Sequence, residues 1–208
     1  MAAIGPEGRR LLIGGALVNV SLGSLFAWSL FVAPLVDEFG SSAAAVSSVF
    51  SVTVVVFAAI VLAGGRVVDR YAPRRLVVAS AVIAVCGLSL SASAGSLPWV
   101  IAGYGVLFGT ANGLGYATAV AIAGRGFDAR RGFALGVVVG AYAAGPLVAS
   151  PLITSLLSSV GWRVTFGALA VGIGAALLIG AVLLGAGPSV DAGDAGATPS
   201  GDDRPILR

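Results

Sequence analysis

The sequence predicts an all-α membrane protein, a bundle of six transmembrane helices, from its composition and its charge pattern. Apolar residues make up 58% of the 208 residues and charged residues 10%, and the mean hydropathy is +1.02. Soluble domains carry about 45–50% apolar and about 25% charged residues. The chain also contains uncharged stretches, each exceeding the roughly 20 residues that a membrane-spanning helix needs. These stretches are residues 11–36, 39–65, 76–124, 132–162 and 164–190.

The third stretch is long enough for two helices, because the turn-forming residues Ser, Gly and Pro lie in its middle, at 93–98. Apolar runs such as 54–62 lack the alternating polarity of barrel strands, and the first run is too long for a signal peptide. We expect an N-terminal segment over 1–10, a bundle over 11–185 and a further segment over 186–208. The helices are expected at about 11–36, 43–64, 76–94, 98–123, 132–158 and 163–185.

The distribution of arginine predicts the orientation in the membrane. If the N-terminus is cytoplasmic, nine arginines of the bundle and its loops lie inside and only Arg163 lies outside, which is a strong positive-inside bias. Both termini are then cytoplasmic and the protein spans the plasma (inner) membrane. Residues 186–208, rich in Gly, Ala, Ser, Pro and Asp, are expected to form a flexible cytoplasmic tail or linker. The nine inside arginines are Arg9, Arg10, Arg66, Arg70, Arg74, Arg75, Arg125, Arg130 and Arg131.

The composition excludes most catalytic chemistry. The chain has no His and a single Cys, Cys86, so His-based acid–base catalysis, most zinc sites and an internal disulfide are excluded. Neither an intramembrane acid nor an intramembrane cation lies in the predicted spans. We therefore expect no enzyme activity, no cofactor, no metal site and no nucleic-acid partner. A non-transporting membrane scaffold stays open as a rival class.

The loop after the second span combines residue types that arginine enrichment alone does not explain. Gly65 permits close approach of another helix. Asp69 can accept hydrogen bonds from a helix N-terminus or an arginine. Pro73 favours the start of the third helix, where its missing N–H does no harm.

The fourth span carries two stripes at helical spacing. A glycine stripe favours close helix packing, and a second stripe places an amide among aromatic rings. The rings could face lipid or another helix, but Asn112 needs a partner or water near the middle of a membrane. The stripes are Gly105, Gly109 and Gly113, and Tyr104, Phe108, Asn112 and Tyr116.

The loop over 65–75 resembles the signature Gly-x-x-x-Asp-Arg-x-Gly-Arg-Arg between helices 2 and 3 of the major facilitator superfamily. Ala72 stands where Gly is usual, and Pro73 where the first basic residue is usual. The resemblance implies one six-helix half of that superfamily's twelve-helix fold, with this loop packed against the other half and gating the cytoplasmic side. The matching gating-loop residues are Gly65, Asp69, Arg70 and Arg74.

Further stretches resemble the oxalate/formate antiporter group, although monocarboxylate carriers share several of them. That resemblance implies transport of small organic anions by alternating access. It also implies that the cations meeting the carboxylates lie in helices of the C-terminal half. The stretches are 23–35, 109–116, 130–136 and 161–166.

In this superfamily helices 1 and 4 line the central cavity, which singles out six candidate substrate-cavity residues. Ser24 could instead bond its own helix backbone, and Trp28 could instead anchor the helix in the outer leaflet. The role of Tyr142 in the fifth span is undecided in the same way, between lining the cavity and a structural position. The six residues are Asn19, Ser24, Trp28, Asn112, Tyr116 and Tyr142.

Two questions stay open at this point. Gly145-Pro146 resembles the Gly-Pro motif of drug/proton antiporters, which offers a drug or metabolite antiporter as an alternative, although Val148 and Ala149 stand where that motif has glycines. A bundle of six helices would also leave its cavity face exposed, so we expect a protein partner in addition to the lipid bilayer. The chain is interpreted first as an N-terminal fragment or truncated product, and otherwise as a subunit pairing with another half or with itself.

Overall fold

The computed structural model describes residues 5–127 and 130–185, and within them the chain is helical without strands. The predicted tail over 186–208 lies outside the described residues, as do residues 1–4. Among the described residues, five helices are long and apolar enough to cross a membrane, where the sequence predicted six spans. They are α1 (Pro6–Phe39), α2 (Ala43–Arg70), α3 (Pro73–Ala92), α4 (Leu97–Arg125) and a last element of 54 residues, Arg131–Leu184.

Gly161 divides this last element into two arms, α5 (131–160) and α6 (162–184). At 1.5 Å per residue a straight helix of 54 residues would be about 80 Å long, against a hydrocarbon core of about 30 Å. Gly161 has φ +79° and ψ 172°, a conformation that favours glycine. The five helices of the structure and the six predicted spans therefore differ only because this broken element is counted as one helix in the first number and as two in the second.

The helix boundaries follow local sequence signals. Helix α3 begins at Pro73, as predicted, and the chain between α3 and α4 breaks at residues 93–96, within the predicted turn. Helix α1 begins earlier than predicted, because Pro6 occupies its first turn and Glu7 favours its positive N-terminal dipole.

Close backbone contact joins α1 to α5 just before a break in the regular helix of α1. Gly23 lies directly against the backbone of Tyr142, and a Cβ on Gly145 would come within 2.5 Å of the Gly23 Cα atom. The next residues of α1, Ser24–Trp28, form a 3₁₀ turn. The absence of side chains at Gly23 and Gly145 is what lets these two helices touch.

The two stripes of α4 face other helices. A Cβ on Gly113 would lie 2.9 Å from the carbonyl oxygen of Phe57, so the glycine stripe packs on α2 as predicted. Tyr104 is buried and donates a hydrogen bond to the Leu25 carbonyl at 3.1 Å, so this part of the aromatic stripe faces protein. Trp28 packs against the Tyr104 ring at 4.5 Å and is 3% exposed, which contradicts its alternative role as a lipid-facing anchor.

The two ends of the bundle differ in charge. At one end Arg10 Nε donates to the Leu183 carbonyl at 2.8 Å, and Asp69 pairs with Arg125. At the other end Arg163 reaches Glu38 at 3.0 Å. The arginines that the sequence assigned to one side of the membrane therefore lie at a common end of the bundle.

Candidate functional site

A buried hydrogen bond joins α4 to α5 at two of the predicted cavity residues. Tyr142 Oη donates to Asn112 Oδ1 at 2.9 Å. Asn112 is fully buried and Tyr142 is 7% exposed. The Nδ2 atom of Asn112 has no hydrogen-bond partner among the described residues. Buried amides are normally satisfied. The donor of Asn112 is unpaired and enclosed within the described bundle, as are Asn19 Oδ1 and Trp28 Nε1.

Tyr142 belongs to a connected group of five aromatic rings from four helices, which we call the aromatic cluster. The centroid of Tyr142 lies 4.8 Å from Tyr116, 5.6 Å from Phe26 and 5.9 Å from Phe57. Phe57 also contacts Tyr116 at 5.5 Å, and Phe26 contacts Phe50 at 6.1 Å. The aromatic cluster comprises Phe26, Phe50, Phe57, Tyr116 and Tyr142.

Glycine contacts bring these rings together. On α4, Gly113 packs on α2 next to Phe57, so Tyr116, almost one turn later, meets the Phe57 ring. On α5, Gly145 packs on α1, so Tyr142, almost one turn earlier, meets Phe26. Larger side chains at these glycines would separate the helices and move the rings apart.

The aromatic cluster opens to the surface of the described bundle. Phe26 is 48% exposed, while Phe57 and Tyr116 are half-buried. The ring partners and hydrogen-bond partners of the cluster carry no charge, and the described residues contain no group of three potential metal ligands. The arrangement offers partly exposed ring faces, which suit the uncharged part of a small molecule, and an unpaired amide donor enclosed behind them.

The other three predicted cavity residues lie apart from the aromatic cluster's polar group. Asn19 is fully buried and donates from Nδ2 to the Val138 carbonyl at 2.8 Å, which ties α1 to α5. Ser24 bonds the Ser21 carbonyl of its own helix at 2.6 Å. Trp28 belongs to the buried ring stack around Tyr104. The structure therefore brings Asn112, Tyr116 and Tyr142 together, whereas Ser24 lines a different cavity, of about 260 Å³, between α1, α5 and α6.

The predicted gating loop lies at the arginine-rich end. Asp69 pairs with Arg125 at the end of α4, and both side chains are about half exposed or more. Gly65 has open space around its Cβ position, while the neighbouring Gly64 faces Ala117 of α4. Arg70 and Arg74 are exposed. Within this chain the loop is thus tied to α4 through Asp69, and Gly65 presents an open surface.

Sequence reasoning missed four residues of these sites. Phe50 and Phe57 are seven residues apart on α2, a helical spacing that could have placed them on one face. Arg125 could have been considered as the arginine partner of Asp69. Phe26 gave no such signal, because only the packing of α1 against α5 turns its ring towards Tyr142.

Several known transporters are similar to this chain in sequence. The oxalate:formate antiporter of Oxalobacter formigenes is 31% identical over 156 residues, covering 75% of this chain and 37% of that protein. Monocarboxylate transporter 11 of Mus musculus is 31% identical over 169 residues, covering 81% of this chain and 36% of that protein. The uncharacterized MFS-type transporter YhjX of Escherichia coli (strain K12) is 29% identical over 155 residues, covering 74% and 39%. The chain thus spans less than two-fifths of the length of these relatives.

A solved structure and a family profile agree with this similarity. The peptide transporter POT in complex with alafosfalin matches with a TM-score of 0.69 at 16% identity, over 85% of this chain and 38% of that chain. At that identity the likeness concerns the fold, and it confirms the predicted all-α membrane architecture. The profile of the Major Facilitator Superfamily matches residues 12–205, most of the chain. This chain is a member of the Major Facilitator Superfamily and a multi-pass integral membrane protein.

Proposed function

We propose that the chain is the N-terminal half of a secondary transporter that moves small organic anions across the plasma membrane by alternating access. The observation that carries this proposal is the aromatic cluster with the Asn112–Tyr142 hydrogen bond, which four helices build around an unused amide donor. The similarity to an oxalate:formate antiporter and to a monocarboxylate transporter supports the substrate class. Both termini are cytoplasmic in this proposal.

The substrate's carboxylate needs a cation that the aromatic cluster does not provide. A buried anion without a positive partner is costly, so the cation comes from the second six-helix half in this proposal. The aromatic cluster then contacts the organic part of the anion. Asn19 and Trp28 hold α1 in place through α5 and Tyr104, and Ser24 remains a candidate substrate-cavity residue.

The site is tested by exchange of labelled oxalate, formate and a monocarboxylate in vesicles containing the complete transporter. Tyr142→Phe removes the hydroxyl that bonds Asn112, and we expect half-saturation to rise about fivefold, since a buried hydrogen bond contributes about 1 kcal/mol. Tyr116→Ala is expected to raise it further. Tyr104→Phe is the matched control, because it removes a buried tyrosine hydroxyl away from the aromatic cluster. Unchanged half-saturation in both cluster variants would remove the aromatic cluster from the site.

The gating loop is tested separately through Asp69. Replacement of Asp69 by Asn weakens its pair with Arg125 while keeping the side chain's size. We expect slower exchange at saturating substrate with unchanged membrane insertion, because in this proposal Gly65, Asp69, Arg70 and Arg74 close the cytoplasmic side. Wild-type turnover in Asp69→Asn would contradict a gating role.

The half-transporter proposal is tested by the mass of the native product, detected with an antibody against residues 1–10. A band near twice the 20.4 kDa of this chain supports a second half on the same polypeptide. A band at 20.4 kDa, without a six-helix partner in the purified membrane complex, would overturn the proposal.

A further inference from the structure

The chain contains two asparagines and no glutamine, so Asn19 and Asn112 are its only side-chain amides. Asn19 lies on α1 and Asn112 on α4, and both are fully buried. Each amide uses one of its two polar atoms: Asn19 donates to the Val138 carbonyl, and Asn112 accepts from the Tyr142 hydroxyl. The two atoms without a partner among the described residues are opposite in character, an acceptor oxygen on Asn19 and a donor nitrogen on Asn112.

The contact between α1 and α4 places the two asparagines on facing sides of these helices. A Cβ on Gly115 of α4 would meet the Leu22 side chain of α1 at 2.5 Å. Asn19 precedes Leu22 by three residues, so both lie on the same face of α1. Asn112 precedes Gly115 by three residues and shares its face of α4 in the same way. The two amides therefore lie along one interhelical contact.

Helix α5 meets both asparagines from the third side. Val138 and Tyr142, which provide the partners of the two amides, are four residues apart and lie on the same face, about 6 Å apart along the axis of α5. A water molecule with a hydrogen bond of about 2.8 Å on either side spans about 5 Å, which is a comparable distance. The third unpaired buried atom, Trp28 Nε1, lies nine residues beyond Asn19 on α1 and is outside this three-helix junction.

We propose that the three-helix junction binds one water molecule, which accepts a hydrogen bond from Asn112 Nδ2 and donates one to Asn19 Oδ1. Water suits this enclosed site because it is small and both donates and accepts, which leaves neither amide atom unsatisfied. An ion does not suit it, because the amide nitrogen repels a cation and the amide oxygen repels an anion. The water connects α1 to Asn112 and, through Tyr142, to the aromatic cluster, whether or not the chain transports organic anions.

The test uses nuclear magnetic resonance on the full 208-residue chain in detergent micelles, with nitrogen-15 in its asparagine side chains. The spectrum contains two side-chain amide signals, and Asn19→Leu assigns them by removing one. A rotating-frame Overhauser experiment detects water held beside an amide and distinguishes it from proton exchange by the sign of the cross-peak. We expect such a water cross-peak at Asn112 in the wild-type chain and its loss in Asn19→Leu. Thr165→Val is the matched control, since it removes a buried hydroxyl that bonds within α6, and it should keep the cross-peak.

Three results would overturn the proposal. A wild-type chain without a water cross-peak at Asn112 has no bound water there. An undiminished cross-peak in Asn19→Leu shows that the Asn19 oxygen does not hold the water. An equal loss in Asn19→Leu and Thr165→Val reduces the effect to a general loosening of the bundle. Far-UV circular dichroism establishes that both variants keep their helices, and the wild-type measurement decides the proposal by itself if a variant does not fold.

Discussion

The contact between α1 and α5 leads to a sharp prediction about stability. Gly145→Ala adds one methyl group at the point where the two helix backbones touch. The new Cβ would lie 2.5 Å from the Cα and carbonyl carbon of Gly23 and 2.7 Å from the carbonyl oxygen of Val20. Favourable carbon–carbon contacts are about 3.5–4.0 Å, so the helices must separate by about 1 Å.

The expected cost follows from the kind of atoms that are crowded. Overpacking a well-packed interior costs about 1–3 kcal/mol. The crowded atoms near Gly145 are backbone and cannot rotate away, so we expect about 3 kcal/mol, at the upper end of this range. The same shift moves Tyr142, on the same helix, away from Asn112.

The assay is the free energy of unfolding in mixed micelles, from a denaturing-detergent titration followed by circular dichroism. Gly140→Ala is the control, because it lies on the same helix and nothing comes within 4 Å of its Cβ position. Alanine is a better helix former than glycine, so this control is expected to be neutral or slightly stabilising. Equal stability of Gly145→Ala and Gly140→Ala would refute the argument that backbone contact limits the α1–α5 distance.

Two further predictions concern polar contacts between helices. Asn19→Leu removes the bond to the Val138 carbonyl, and we expect a loss of about 0.6–1.7 kcal/mol in the same titration; a loss within error would show that the bond does not hold α1 to α5. Arg163→Gln removes the pair with Glu38 and the 2.8 Å bond to the Ala94 carbonyl, with an expected loss of about 1 kcal/mol because these groups are partly exposed. Most of this loss should persist in high salt, since the carbonyl bond is less screened than the ion pair; a loss abolished by salt would assign it to the pair alone.

The sequence by itself determined the class of the protein and most helix boundaries. Hydropathy, arginine placement and helix start signals are local properties, so Pro73 and the turn over 93–98 could be located without tertiary information. The glycine spacing of α4 likewise predicted a packing face that the structure confirms. The last two spans were expected as separate helices, and Gly161 divides them where the predicted boundary falls.

The choice among the polar candidates depended on tertiary packing. Asn19 and Asn112 look alike in sequence, since each is a lone amide in an apolar span. In the structure, Asn19 donates to a backbone carbonyl of α5 and keeps an unpaired oxygen, whereas Asn112 accepts from the Tyr142 hydroxyl and keeps an unpaired donor. Trp28, a candidate for the cavity or the lipid interface, is buried among other rings.

The physical reason is the rotation of each helix about its own axis. Helical periodicity tells which residues share a face, but packing decides which neighbour that face meets. Here the contacts of Gly145 with Gly23 and of Gly113 with Phe57 set those rotations, and they join residues far apart in the chain. The sequence therefore determined the helices and the membrane environment, and only the tertiary structure decided which side chains form the aromatic cluster.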